Sequence, residues 1–294
     1  MKILVTGATG FIGTRLSETL PNSGHDVRNT ARSLAPNIST TCELITCDLE
    51  SADNLDHLTT GCDAIVHLAG RAHVMSDNPA TSESLYISAN VDVTRKLVQS
   101  AARTGVKQMI LMSSVKVNGE STTIGSPFTS QDTPNPQDPY GRSKTQAEQA
   151  LWDVASTSAL ESVVIRPPLV YGPGVRANFA SLIGIVKRGI PLPLGSIHNK
   201  RSFVSIDNLV DCIATVLQSS NAAGQTFLVS DGHDLSTPEL IRSIASALHK
   251  SPMLIPFPPA LLKLAATTAG KRGAYDRLCG SLTVDIALTK QKLS

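Results

Sequence analysis

From residue 3 to residue 166, short apolar runs alternate with longer stretches in which apolar residues recur every three or four positions. The runs Ile3–Thr6, Val27–Ala31, Leu44–Thr46, Ala64–Leu68, Met109–Ser113 and Val163–Arg166 read as strands. Between them, Ile12–Leu20, Glu83–Thr104 and Lys144–Thr157 carry the helical period. Strands separated by helices of this length predict an α/β fold, a doubly wound parallel sheet with crossover helices.

After Arg166 the texture changes. Pro167, Pro168, Gly172, Pro173 and Gly174 fall in one loop, and Gly189, Pro191, Pro193 and Gly195 in another. Later elements are shorter and alternate loosely. Residues 1–166 are therefore expected to form the sheet domain, with part of the later chain returning to it, and 167–294 mainly a smaller cap. Ligands of doubly wound sheets bind at the carboxyl ends of the strands, so the cap should close over that edge.

Composition narrows the picture by exclusion. Across 294 residues the net charge is +2, with no basic run, which argues against nucleic acid. The five cysteines lie at unrelated spacings without a neighbouring histidine pair, as in a reduced cytoplasmic protein rather than a disulfide scaffold or zinc site. The N-terminus goes straight into an apolar strand without a charged n-region, so no signal peptide is expected. The most apolar later stretch, Met253–Gly270, is interrupted by Pro256, Pro258, Pro259 and Lys263. It is too short to span a bilayer and is expected to be a loop leading into a packed helix.

Two motifs carry chemistry. The first strand runs through Thr6-Gly7-Ala8-Thr9-Gly10-Phe11-Ile12-Gly13 directly into an amphipathic helix. Glycines there permit a tight turn and close approach of the backbone to a pyrophosphate, and the helix N-terminus presents free N–H groups to it. The second motif is Tyr140-Gly141-Arg142-Ser143-Lys144, in which Tyr140 and Lys144 share a helix face one turn apart. A free phenol titrates near ~10, and a neighbouring ammonium, aided by a positive nicotinamide ring, would pull it toward the working pH, making it an acid/base group.

The Gly-x-x-Gly-x-x-Gly spacing, followed about 130 residues later by Y-x-x-x-K, resembles the extended short-chain dehydrogenase/reductase family, that is, the NAD-dependent epimerases and dehydratases. The resemblance covers essentially the whole chain and implies a Rossmann dinucleotide-binding domain. It implies cofactor contacts from Gly7, Thr9, Gly10, Phe11, Ile12, Gly13, Asp48, Leu49, Leu68, Ala69, Gly70, Asn90, Tyr140, Lys144 and Pro167. Where NAD-specific members place an acidic residue, this chain has Ala31 followed by Arg32, so NADP(H) is expected ahead of NAD(H). His67 reads as a packed core histidine without a chemical role.

Aligned on Val117-Asn118-Gly119, Ser114 takes the family's catalytic Ser/Thr position beside Tyr140 and Lys144, while neighbouring Ser113 is given to local backbone hydrogen bonding. The dehydratases follow that residue with Asp-Glu; here Val115 and Lys116 stand instead, which argues against dehydration. On the substrate side the resemblance implies contacts from His73, Lys116, Asn178, Arg201 and Arg277, with a UDP-sugar as partner, no nucleic acid, no membrane span, and a homodimer left open.

His73-Val74-Met75, Lys116–Glu120 and Leu228–Gly232 look most like the UDP-N-acetylquinovosamine dehydrogenase branch. That branch implies NAD(P)H-dependent reduction of a UDP-4-keto-6-deoxy-hexosamine in surface polysaccharide synthesis. The alternatives are a UDP-sugar 4-epimerase with bound NAD and, from a different class, a non-catalytic nucleotide sensor. The family usually continues into a Gly-Trp-x-Pro tail where this chain stops at Ser294, so truncation is also an expectation.

Overall fold

The computed structural model describes residues 1–33, 42–72 and 79–293. The six apolar runs form β1 (Lys2–Thr6), β2 (Asp26–Ala31), β3 (Glu43–Thr46), β4 (Ala64–His67), β5 (Gln108–Met112) and β6 (Glu161–Arg166). Three strands follow Arg166: β7 (Leu169–Tyr171), β8 (Phe203–Ser205) and β9 (Thr226–Leu228). The main sheet has seven parallel strands in the order β3-β2-β1-β4-β5-β6-β9, and β7 pairs with β8 apart from it. Thr6 lies opposite both Thr30 and His67, so β1, β2 and β4 end level and their loops open along one edge.

Both faces of the sheet are covered, which is why its strands read as apolar runs rather than alternating ones. Ile3 and Val5 point to the layer of α1 (Phe11–Asn22) and α7 (Ile206–Gln218). Leu4 points to the opposite layer, built from α2 (Asp56–Thr59), α4 (Val93–Thr104) and α5 (Pro139–Ala155). Thus α7 and β9, both beyond Arg166, belong to the sheet layers.

The helix expected over Glu83–Thr104 is α3 (Pro79–Tyr86) joined to α4 through a π-helical stretch, Ile87–Asp92. α5 starts five residues earlier than its periodicity suggests, because its first turn is polar. That turn is fixed by capping instead: Asp138 accepts from the Gly141 N–H at 2.6 Å, and Pro139 occupies the first turn. The start at Pro139 puts Tyr140 on the helix with Lys144.

The cap has its own small core, in which Leu182 and Val186 of α6 (Ala177–Lys187) meet Ile241 and Ile244 of α8 (Thr237–Ala247). α9 (Pro259–Thr268), α10 (Arg272–Cys279) and α11 (Ala287–Leu293) complete the chain. The expectation of a packed helix after Pro259 is not met. Leu262 touches the cap core, but no residue of α9 is buried, and Leu261 and Leu264 are 53% and 61% exposed. Among the described residues no helix is long and apolar enough to cross a membrane.

Candidate active site

At the carboxyl edge, the β1–α1 turn is shaped by its glycines. Gly7 has φ +70°, and a Cβ there would lie 2.7 Å from the Ala69 nitrogen of the β4 loop. A Cβ on Gly13 would lie 2.2 Å from the Gly7 carbonyl oxygen, so this glycine seats α1 against the turn. Gly10 caps α1 without a side-chain hydrogen bond, and the first turn carries no acidic residue, which leaves its N–H groups and partial positive charge for an anion.

A groove of about 500 Å³ opens beside this turn. Of the expected cofactor residues, Gly7, Thr9, Gly10, Arg32, Asp48, Leu49, Leu68, Ala69 and Gly70 line it. Phe11, Ile12, Gly13, Asn90, Pro167, Tyr140 and Lys144 are not among its lining residues. Asn90 is 1% exposed, and its amide is engaged internally. It accepts from the Arg71 N–H at 2.8 Å and donates to the Ser143 hydroxyl at 2.9 Å, bracing the Gly70 loop against α5. Pro167 is buried, and its carbonyl accepts from Val115 N–H at 3.0 Å, fixing the turn that carries Ser114. The groove suits a dinucleotide: a glycine cradle and a free helix terminus stand at one end, and Asp48 and Leu49 line the wall beyond β3.

At the end of β2, Ala31 is buried and Arg32 is exposed on the groove wall. His67 is 1% exposed and held between Thr6 (2.7 Å) and Thr94 (3.1 Å); burial, with a smaller push from Lys144, lowers its pKa to about 3. It is a neutral core histidine.

The structure brings Ser114, Tyr140 and Lys144 together at the ends of β5 and α5. Ser114 has extended backbone and caps a short 3-10 turn, Val115–Val117, accepting from the Lys116 N–H at 3.3 Å. Its hydroxyl also hydrogen-bonds Tyr140, which acts to lower the phenol's pKa. Burial outweighs that effect, and nearby Asp138 and Tyr86 add to it, pushing the phenol up to about 12. The Lys144 ammonium donates to the Met112 carbonyl at 2.9 Å, and burial pushes it down to about 8. In the chain alone desolvation disfavours both charged forms, so any lowering of the phenol depends on a bound cation as well as on Lys144. Ser113 donates to the buried side chain of Glu148 on α5, a distant partner rather than the local backbone expected of it.

The expected substrate residues are less concentrated. Lys116 pairs with Asp138 and, at 3.0 Å, with Glu120, so its charge is already matched and it braces the α5 cap. Arg201 donates to the Gly280 carbonyl at 3.0 Å and has no carboxylate partner among the described residues; burial lowers its pKa. Arg277 is exposed on α10, the helix capped by Gly280, and Asn178 is exposed at the start of α6. His73 lies outside the described residues.

Sequence reasoning missed Thr30, Cys47, Glu50 and Arg71 on the groove wall. It also missed the Tyr171–Phe179 ring stack, with centroids 5.8 Å apart, in which Tyr171 donates to Asp231 at 2.8 Å. Tyr171 and Phe179 stand in runs that the family resemblance marks, but their contact does not show in the sequence; the groove-wall residues carry no motif, because their neighbours in space come from distant strands.

The NAD dependent epimerase/dehydratase family model matches residues 3–230. Over 292 residues the chain is 46% identical to a UDP-glucose 4-epimerase of Vibrio cholerae, covering 99% of this chain and 89% of the relative. It is 28% identical over 267 residues to the N-acetyl-alpha-D-glucosaminyl-diphospho-ditrans,octacis-undecaprenol 4-epimerase of Escherichia coli O157:H7, covering 88% and 77% of the two chains. Among solved structures, MoeE5 in complex with UDP-glucose and NAD overlays with a TM-score of 0.79 at 25% identity, covering 100% and 92%. The UDP-glucuronic acid 4-epimerase of Bacillus cereus in complex with NAD overlays with a TM-score of 0.80 at 23% identity, covering 100% and 92%; at that identity the likeness speaks for the fold.

Proposed function

The chain belongs to the NAD dependent epimerase/dehydratase family, and within it we propose an enzyme that inverts C4 of a UDP-sugar by transient oxidation. The observation that carries this reading is the Ser114–Tyr140–Lys144 cluster at the sheet edge that also holds the glycine cradle. The similarity to a UDP-glucose 4-epimerase ranks epimerisation ahead of 4-keto reduction, reversing the order suggested by local motifs. Val115 and Lys116 carry no carboxyl group, so neither supplies the carboxylates that dehydration needs.

Gly7, Gly10 and the first turn of α1 would hold the pyrophosphate of NAD, with Asp48 and Leu49 at its adenosine end. When bound, the nicotinamide supplies the hydride acceptor and donor and a positive ring. With that positive ring offsetting the burial that raises its phenol, Tyr140 would take the proton from the C4 hydroxyl as the ketone forms and return it when the alcohol is restored on the other face. Lys144 offers a positive charge to the phenolate, and Ser114 hydrogen-bonds the reacting oxygen. Arg201, half-buried without a carboxylate partner among the described residues, suits the diphosphate.

A second reading, 4-keto reduction with exchanging NADP(H), is favoured by one observation: Arg32, not a carboxylate, stands on the groove wall at the end of β2. Cofactor stoichiometry separates the two. Interconversion of UDP-glucose and UDP-galactose without net change in nicotinamide absorbance supports epimerisation. Stoichiometric consumption of reduced cofactor by a UDP-4-keto-6-deoxy sugar, with no interconversion, would replace it with reduction.

A further inference from the structure

The outer surface of the cap carries an apolar face for which the proposed reaction has no use. Residues 192 and 254 form a parallel bridge, with Leu192 donating to the Met253 carbonyl and Ile255 to the Leu192 carbonyl, each at 2.8 Å. Leu254 turns inward onto the cap core, while Met253 and Ile255 turn outward, 55% and 47% exposed. The helix that follows repeats this division at its own period, with Leu262 and Ala266 toward the protein and Leu261 and Leu264 away from it. Ile190 (43%) and Phe257 (36%) extend the same run of exposed apolar side chains. A monomeric soluble domain rarely leaves so many large apolar groups in water within one short region.

The segments that carry and flank this face are basic, and Glu239 and Asp276, carboxylates at their borders, are already paired with Lys200 and Arg272. Segments 167–206 and 240–275 together hold ten lysines and arginines and no aspartate or glutamate, although the whole chain has a net charge of only +2. Lys187, Arg188, Lys250, Lys263 and Lys271 are all exposed, and none forms an ion pair among the described residues. A self-associating face gains nothing from like charges opposed across its axis. A sheet of anionic headgroups over hydrocarbon matches both features, because lysines at the rim meet phosphate while leucines enter the interface.

We propose that this cap face, centred on Met253, Ile255, Leu261 and Leu264, docks the protein peripherally on an anionic lipid bilayer. α9 would lie in the interface plane, since its ten residues are too few to span a bilayer. The inference is independent of the sugar chemistry, because none of these residues belongs to the candidate active site.

Sedimentation of the full chain with vesicles tests it, using phosphatidylcholine alone and phosphatidylcholine with a quarter phosphatidylglycerol. The expected result is binding to the anionic vesicles only, weakened by salt. Leu261→Glu/Leu264→Glu should lower the partition at least tenfold. Lys263→Glu/Lys271→Glu should also lower it by at least tenfold, from about fivefold for each lysine neutralised. Both variants should keep wild-type thermal melting and wild-type turnover of soluble substrate. Absence of binding by the wild type, or equal binding by all three proteins, would overturn the proposal. So would a wild-type dimer that Leu261→Glu/Leu264→Glu converts to monomer without any vesicle binding, which would assign the face to a second copy.

Discussion

Glu148 and Arg166 meet inside the protein, Oε2 2.6 Å from Nη2, with side chains only 5% and 6% exposed. A second bond, Arg166 Nε to Glu148 Oε1 at 2.9 Å, makes the pair bidentate and ties α5 to the end of β6. Arg166 also donates to Asn118 at 3.0 Å, just beyond the turn that carries Ser114. Glu148 lies one helical turn past Lys144, and its charge partly offsets the burial that lowers the ammonium's pKa. This pair thus anchors the strand end, the serine turn and the tyrosine–lysine helix to one another.

Glu148→Gln should strand a buried guanidinium and cost about 3–5 kcal/mol. For a chain of this size the melting temperature should fall by roughly five to eight degrees. A double change with Arg166→Met should recover most of the loss, since both charges leave together. Melting of Glu148→Gln within two degrees or so of wild type would show that the pair is not a buried charge couple.

Tyr140→Phe should lower turnover by about 10²–10⁴ and leave cofactor binding nearly unchanged, because it removes the proton carrier and little volume. Steady-state rates and a cofactor titration on the same preparation check both halves. Retention of more than about a tenth of the activity would take Tyr140 out of its proposed role.

His67 sets an acid limit on stability. Its folded pKa of about 3 lies below its ordinary value of 6.5, so below that value the unfolded chain binds a proton that the native state refuses. Stability is therefore held above pH ~6.5 and lost progressively toward pH ~3, by at most roughly 4–5 kcal/mol from this group. His67→Gln, which cannot titrate there, should flatten the acid limb of a denaturation-against-pH curve. An unchanged limb would mean that the ring is protonated in the native protein.

Arg32→Ala should weaken NADPH by roughly 1.5–3 kcal/mol while changing NADH little, if the guanidinium meets a 2′-phosphate. Dissociation constants for the two cofactors decide it. Equal values in the wild type would leave Arg32 as a solvated side chain and strengthen the reading with resident NAD.

The sheet was legible because its cause is local. Strands covered on both faces must be apolar along short runs, and six such runs separated by helical periods leave little choice but a parallel sheet with crossovers. The glycine turn was equally legible, since Gly7 at positive φ and Gly13 against the Gly7 carbonyl tolerate no side chain. The start of α5 was not, because capping by Asp138 and the ion pair from Lys116 replace the apolar period as the signal.

By itself the sequence determined the fold class, the dinucleotide cradle and the identity of the Ser114–Tyr140–Lys144 candidates, because each depends on residue types at fixed spacing. Only the tertiary structure decided how those groups are charged and what surrounds them. It spent Lys116 and Asn90 on internal partners, buried Lys144 and half-buried Tyr140, which disfavours both ions, and left α9 standing in solvent. Burial and pairing are sums over neighbours brought from distant parts of the chain, and no local pattern encodes such sums.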